Sequence, residues 1–185
     1  MLQQELLKHI AISMSREGID YMIVGSISSS LLGEPRATHD IDLVVQIQPE
    51  DVRRLAKVFP EPDFDFDEVA AMRAVATFQM CNVLHWPSGD KVDIWPLKPD
   101  AYSQVAFSRR AQIAFGGVLL WCQTPEDVII SKLQWAELAG GSEKQMNDAR
   151  SVLDLHRNTI DMSYLEQWAE VLDVRGLLRQ LASRS

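Results

Sequence analysis

Tyr21-Met-Ile-Val-Gly25-Ser26 and, after a turn, Asp40-Ile-Asp-Leu-Val-Val-Gln-Ile47 are the stretches that decide the fold of this chain. The first reads as a buried strand that runs through a turn into the start of a helix. The second reads as a strand carrying two carboxylates at its mouth. Successive side chains on a strand point to opposite faces, so residues two apart share one. Asp40 and Asp42 therefore project together while Ile41 turns into the core. Two like charges held that close repel, and a divalent cation is the usual relief. The pair is thus a candidate metal site, with two solubilising residues at a strand start as the plainer alternative. Asp93, inside Lys91-Val-Asp-Ile-Trp95, adds a third carboxylate on a further strand-like run, where an outward-facing hairpin position is the other reading.

Outward from these strands the pattern is mixed α/β. The first 17 residues repeat apolar positions at helical spacing (Leu2, Leu6, Ile10 and Met14), and Gly18 stops that helix. A short helix is expected over 26–32, closed by the turn Gly33-Glu-Pro35. Another is expected over 50–59. The acidic stretch Asp63-Phe-Asp-Phe-Asp-Glu68 reads as an exposed loop. Strands are expected over about 75–85 and 91–95, joined by the hairpin turn Pro87-Ser-Gly89, with a helix over 98–110. Two short apolar runs then flank Gly116-Gly117. After Cys122 the character changes. Thr124-Pro-Glu-Asp127 is a helix start, with an N-cap hydroxyl, proline at the first position and acids facing the helix dipole. Helices follow to Leu138, from Ser142 to His156 and within 162–183. The expected division is an α/β domain over 1–123 and a helical portion over 124–185.

Composition narrows the function classes. The chain has 185 residues, 46% hydrophobic and 24% charged, in the range of ordinary globular proteins. No apolar run approaches the roughly 20 residues that span a bilayer. The N-terminus lacks the basic start and apolar middle of a signal peptide. Cys81 and Cys122 stand far apart with no zinc spacing and no disulfide framework, so the cytoplasm is the expected location. A formal net charge of -8 argues against a general nucleic-acid coat, because such binding rests on neutralising phosphates. It does not exclude one nucleotide bound as its metal complex.

Gly25-Ser26, Asp40-Ile-Asp42 and Asp93, in that order, resemble the nucleotidyltransferase superfamily with its polymerase-beta-like fold. Arg36-Ala-Thr38-His-Asp40-Ile-Asp42 further resembles the Arg-x-Thr-x-Asp-x-Asp signature of minimal nucleotidyltransferases related to abortive-infection toxins. Pro125-Glu-Asp-Val-Ile-Ile-Ser-Lys132-Leu looks like the segment that opens the C-terminal helices in that group, where a lysine faces the active site. The group also carries a basic residue followed by aspartate in its next helix. Lys144-Gln-Met-Asn-Asp148 matches that loosely, and Asp148 with Arg150 reads equally as an ordinary helix-surface pair.

The resemblance implies a mixed sheet with helices, and transfer of NMP from an NTP to an acceptor hydroxyl or phosphate with release of pyrophosphate. Asp40, Asp42 and Asp93 would hold two Mg²⁺ ions, about 3.5–4 Å apart in such sites. Asp93 would also serve as general base. Gly25 and Ser26 would bring backbone N–H groups and a hydroxyl to phosphate oxygens at a helix start. Arg36 and Lys132 would neutralise phosphate charge, with Thr38 as part of the same nucleotide-binding signature. Lys132 has a surface lysine as its plainer reading. Trp95 reads as packing or as a platform for a base.

The acceptor is open between a small molecule, a tRNA and a protein. The expected partners are the NTP, that acceptor, and either a second copy of the chain or a small antitoxin-like protein, with no membrane. Two other functions remain open at this stage. One is a non-catalytic nucleotide-binding or toxin–antitoxin module. The other is a metal-dependent phosphohydrolase that uses water in place of the acceptor.

Overall fold

The computed structural model describes residues 3–183, which form two compact units. One is built from the chain up to Val24 together with Thr38–Cys122. The other is built from Gly25–Ala37 together with the chain from Gln123 onward.

The first unit carries a seven-stranded mixed sheet. Its strands are β1 (Asp20–Val24), β2 (Asp40–Gln46), β3 (Phe64–Asp65), β4 (Cys81–His85), β5 (Asp90–Pro96), β6 (Ala111–Phe115) and β7 (Val118–Cys122), in the order β3-β4-β5-β2-β1-β7-β6. The β2–β5 and β1–β7 pairs are parallel and the others antiparallel. Helix α1 (Gln3–Glu17) buries Leu6, Leu7, Ile10 and Met14, the stripe expected from their spacing. Leu2 lies outside the described residues. Gly18, at φ 64°, ends α1 in the left-handed conformation that glycine adopts without strain.

Ile41, Leu43 and Val45 of β2 stand beside Val92, Ile94 and Pro96 of β5, and the five aliphatic side chains are fully buried. Burying each contributes about 1.5–3 kcal/mol. That burial locks the register. A slip of one residue would turn Asp40 and Asp42 into the core and these aliphatics out of it. The position of the carboxylates is therefore enforced from the opposite face of the sheet.

Two expectations are corrected between Pro49 and His85. The helix expected over 50–59 is a 3₁₀ turn at Pro49–Asp51 followed by a short α-helix, Val52–Ala56. The strand expected from about 75 begins only at Cys81, because Glu68–Thr77 is a helix. Its cause is local: the Asp67 carboxylate accepts from the N–H groups of Val69 and Ala70, and Ala71, Ala74 and Val75 form the buried stripe. The acidic stretch is likewise no simple loop. Phe64 pairs in β3 and is buried against Phe59 and His9, while the neighbouring acids stay outside.

The second unit is helical. The first unit also holds the helices α3 (Val52–Ala56), α4 (Glu68–Thr77) and α5 (Ala101–Ser108), and the second comprises α2 (Gly25–Leu32), α6 (Pro125–Leu138), α7 (Glu143–His156), α8 (Met162–Val171) and α9 (Arg175–Ser183). Thr124 caps α6 as its sequence predicts, accepting from the Asp127 N–H. Asp127 is itself buried and accepts a 2.6 Å hydrogen bond from the Tyr164 hydroxyl, which ties α8 to the start of α6. At the other end of the unit, a ring nitrogen of His156 is 2.9 Å from the Leu32 carbonyl, an orphan acceptor at the end of α2. Gly33 follows with no room for a side chain: a Cβ there would lie 2.5 Å from the Ser151 hydroxyl and 3.0 Å from the Ser29 carbonyl. No helix among the described residues is long and apolar enough to cross a membrane.

Candidate active site

In the first unit the parallel register sets Asp42 directly beside Asp93 and Asp40 directly beside Lys91. All four side chains share the face opposite the aliphatic core, as the alternation of β2 and β5 requires. Asp40 is exposed, Asp42 half-buried and Asp93 buried. The Lys91 ammonium donates to Asp93 Oδ2 at 3.0 Å and lies 3.9 Å from Asp40 Oδ1. Its hydrogen bond to Asp93 outweighs the cost of burial and, with the fields of Asp40 and Asp42, holds Lys91 above the ordinary lysine value. Thr38 organises the entrance to β2: its hydroxyl is 3.3 Å from the Asp40 N–H and 3.4 Å from the Asp40 carbonyl. Next to this face His39, largely exposed, contacts buried Asp90 at 3.4 Å, and Asp90 accepts from Ser88 at 2.6 Å. That chain braces the hairpin between β4 and β5.

One carboxylate oxygen on this face is left unmet. Asp93 Oδ1 is buried and has no hydrogen-bond partner, while Oδ2 has Lys91. A buried carboxylate oxygen without a donor is costly, and a hard cation is one group that could satisfy it. Among the described residues no group of three or more His, Cys, Asp or Glu side chains is gathered tightly enough to hold a metal ion. Lys91 holds the position of counter-ion instead.

The second unit contains the other expected residues. Gly25 opens α2 at φ 65°, a conformation that disfavours other residues. Ser26 accepts a hydrogen bond from Arg36 through its hydroxyl. Arg36 also grips Asp148 with two donors, Nε to Oδ1 at 3.0 Å and Nη2 to Oδ2 at 3.1 Å. Lys132, only 2% exposed, donates to the same Asp148 Oδ2 at 2.7 Å, and Ser29 reaches it at 3.4 Å. Burial pushes the Asp148 carboxyl up, but the bonds from Arg36 and Lys132 win and hold it below the ordinary carboxylate value. The structure thus joins Ser26, Arg36 and Lys132 through a residue that sequence reading left open. Asp148 is no helix-surface residue, and Lys132 is no surface lysine.

Lys91 is the residue that sequence reasoning missed, and Asp148 is one that it left undecided. For Lys91 a signal existed: it stands two positions before Asp93, so it must share the face of that carboxylate. For Asp148 the signal was the spacing from Lys132, which becomes informative only once α6 and α7 are known to pack antiparallel across Gly140-Gly141.

No protein-family model and no curated protein matches the chain. Solved structures do. The chain is similar to an antigenic nucleotidyltransferase-like protein from Paracoccidioides brasiliensis, with a TM-score of 0.57 and 19% identity over 96% of this chain and 90% of that one. It is also similar to the antibiotic-resistance factor ANT(2″)-Ia, with a TM-score of 0.54 and 15% identity over 98% and 94% of the two chains. Against ANT(2″)-Ia in complex with adenylyl-2″-tobramycin the TM-score is 0.52, at 15% identity over 100% and 99%. At these identities the likeness concerns the fold, and it agrees with the mixed sheet and strand pairing described above: this chain has a nucleotidyltransferase-like fold.

Proposed function

We propose that this protein is a Mg²⁺-dependent nucleotidyltransferase that moves NMP from an NTP to an acceptor hydroxyl or phosphate and releases pyrophosphate. The observation that carries the proposal is the β2–β5 register, which sets Asp42 beside Asp93 with one buried Asp93 oxygen lacking a donor. Asp40, Asp42 and Asp93 would hold the metal, which when bound supplies charge for the phosphate oxygens and acidifies an attacking hydroxyl. Asp93, sheltered from water, is suited to take the acceptor's proton. The second unit offers the complementary chemistry. Around Asp148 stand two cations, Arg36 and Lys132, beside the N-terminal turn of α2 and the Ser26 hydroxyl. Arg36 and Lys132 are held by Asp148 in fixed positions, which spares an anion the cost of ordering them.

Within the superfamily, Arg36-Ala-Thr38-His-Asp40-Ile-Asp42 supports kinship with the abortive-infection-related group. The acceptor, whether small molecule, tRNA or protein, is left to a screen. A non-catalytic module that binds a partner is the second reading, and one observation favours it: Trp135, Leu138, Leu155 and Val171 on α6–α8 are 49%, 78%, 67% and 64% exposed.

Calorimetric titration with ATP, CTP, GTP and UTP, with and without Mg²⁺, tests the proposal. Mg²⁺-dependent binding of at least one nucleotide, abolished by Asp42→Asn with an unchanged circular dichroism spectrum, is the expected result. No binding of any nucleotide by the native protein rejects the transferase and favours the partner-binding reading.

A further inference from the structure

We propose that β6 is a docking edge for a second copy of this chain: two β6 strands pair antiparallel about Ile113 and join two seven-stranded sheets into one. The proposal concerns the sheet of the first unit alone and does not depend on the nucleotide chemistry above. The two edges of that sheet differ in kind. At one end stands β3, two residues long, with Asp65 in it and Pro62, Asp63 and Asp67 around it. Shortness, proline and charge are the devices that keep an edge from pairing with another chain. At the other end stands β6, Ala111-Gln-Ile-Ala-Phe115, with no charge, no proline and an unbroken register against β7. No described strand pairs with its outer side. Ala111, Gln112 and Ala114 are exposed, and Leu119, beside Ala114 on β7, is 54% exposed.

The hairpin turn decides which backbone groups of β6 face outward. Gly116 and Gly117 form a two-residue turn with φ 54° and 88°, so Phe115 and Val118 flank it as a pair that exchanges both hydrogen bonds. Such pairs alternate along an antiparallel ladder, so Phe115, Ile113 and Ala111 bond to β7. Gln112 and Ala114 then turn their N–H and C=O groups away from the sheet. A two-fold axis at Ile113 sets Gln112 of one copy opposite Ala114 of the other, and each such pair exchanges two hydrogen bonds. This register is self-complementary: every outward N–H and C=O of Gln112 and Ala114 finds a partner, Ile113 meets its counterpart, and Phe115 lies opposite Ala111. No charge of the strand is buried. Arg110, just before it, donates to Asp20 at 2.9 Å. A strand of 5 residues is about 17 Å long, so the contact is at the small end of specific interfaces and the dimer dissociates on dilution.

Sedimentation velocity of the full chain from about 5 to about 500 µM, the range in which small transient interfaces form, tests the pairing. The native protein should sediment as one chain at the low end and move toward two at the high end. Ala114→Pro removes an outward N–H from each copy without touching the bonds to β7, and Ala114→Lys puts a charge on the edge. Both should stay monomeric at the highest concentration. Ala114→Lys, at an exposed position, should melt within about 2 °C of the native protein, which separates lost pairing from lost folding. Cross-linking reads the register. At the two-fold axis the Ile113 Cα atoms would be about 4.5 Å apart, so mild oxidation of Ile113→Cys should give a covalent dimer. Gln112→Cys should not, because its two copies lie more than about 7 Å apart. A native protein that stays monomeric throughout overturns the proposal, as does a dimer that survives both Ala114 substitutions. Failure of Ile113→Cys to cross-link in a protein that dimerises overturns it as well.

Discussion

The two units arrange their charges differently. On the sheet face one ammonium lies between two carboxylates, Asp40 and Asp93, and one Asp93 oxygen is buried without a donor. In the helical unit two cations share one carboxylate, and both oxygens of that carboxylate are filled. The first cluster keeps an unmet acceptor; the second has a carboxylate whose two oxygens are both bonded. The contrast separates two ways of using buried charge. A satisfied network fixes side chains in place, and breaking it costs stability. An unsatisfied one is poorly matched until a ligand arrives, and changing it should cost binding more than stability.

The sharpest way to break the contrast is Asp148→Ala. It leaves Arg36 and Lys132 close together without their shared partner, and a loss of about 3–5 kcal/mol in urea unfolding is expected. A loss below about 1 kcal/mol would mean that the network is no anchor. Gly33→Ala comes next. Its added Cβ would press on Ser151 and on the Ser29 carbonyl, for a loss of about 1–3 kcal/mol by the same measurement.

Acid sharpens the comparison further. Asp148 titrates below its unfolded value, so the stability it contributes is present above the ordinary carboxylate range. That contribution is lost as pH falls through the lowered native value. Stability measured from pH 6 downward should therefore fall more steeply in the native protein than in Asp148→Asn, and parallel curves would contradict the assignment. The smallest stability effect is expected on the sheet face. Asp93→Asn removes repulsion from Asp42 along with the bond to Lys91, so the two changes oppose, and thermal unfolding should move by about 1 kcal/mol or less in either direction. The same substitution should abolish Mg²⁺-dependent nucleotide binding by calorimetry. A large stability loss with binding retained would reverse the roles assigned to the two clusters.

Much of this was legible before the structure, for reasons that differ by region. Alternation along β2 placed Asp40 and Asp42 together because a strand's period is two and its apolar partners leave one register. The N-terminal signals of α6 were equally plain, since Thr124, Pro125 and two acids act through local backbone chemistry. Residues 75–77 were misread because Val75 and Thr77 are β-formers by composition, while the Asp67 cap and the alanine stripe that decide the matter are weaker signals. Asp148 stayed undecided for a different reason. Its partners Arg36 and Lys132 are 112 and 16 positions away, and only packing of α2, α6 and α7 brings them to one carboxylate. Lys91 lay in plain view, but a site pictured with metal in it leaves no place for a lysine.

Paramagnetic broadening of backbone amide resonances by substoichiometric Mn²⁺ tests most directly that the sheet face is the metal-holding cluster. The account predicts selective broadening at Asp42 and Asp93 in the native protein and in Asp148→Asn, and its loss when Asp42→Asn and Asp93→Asn are combined. Broadening that survives the double substitution, or that never reaches these two amides, would contradict it.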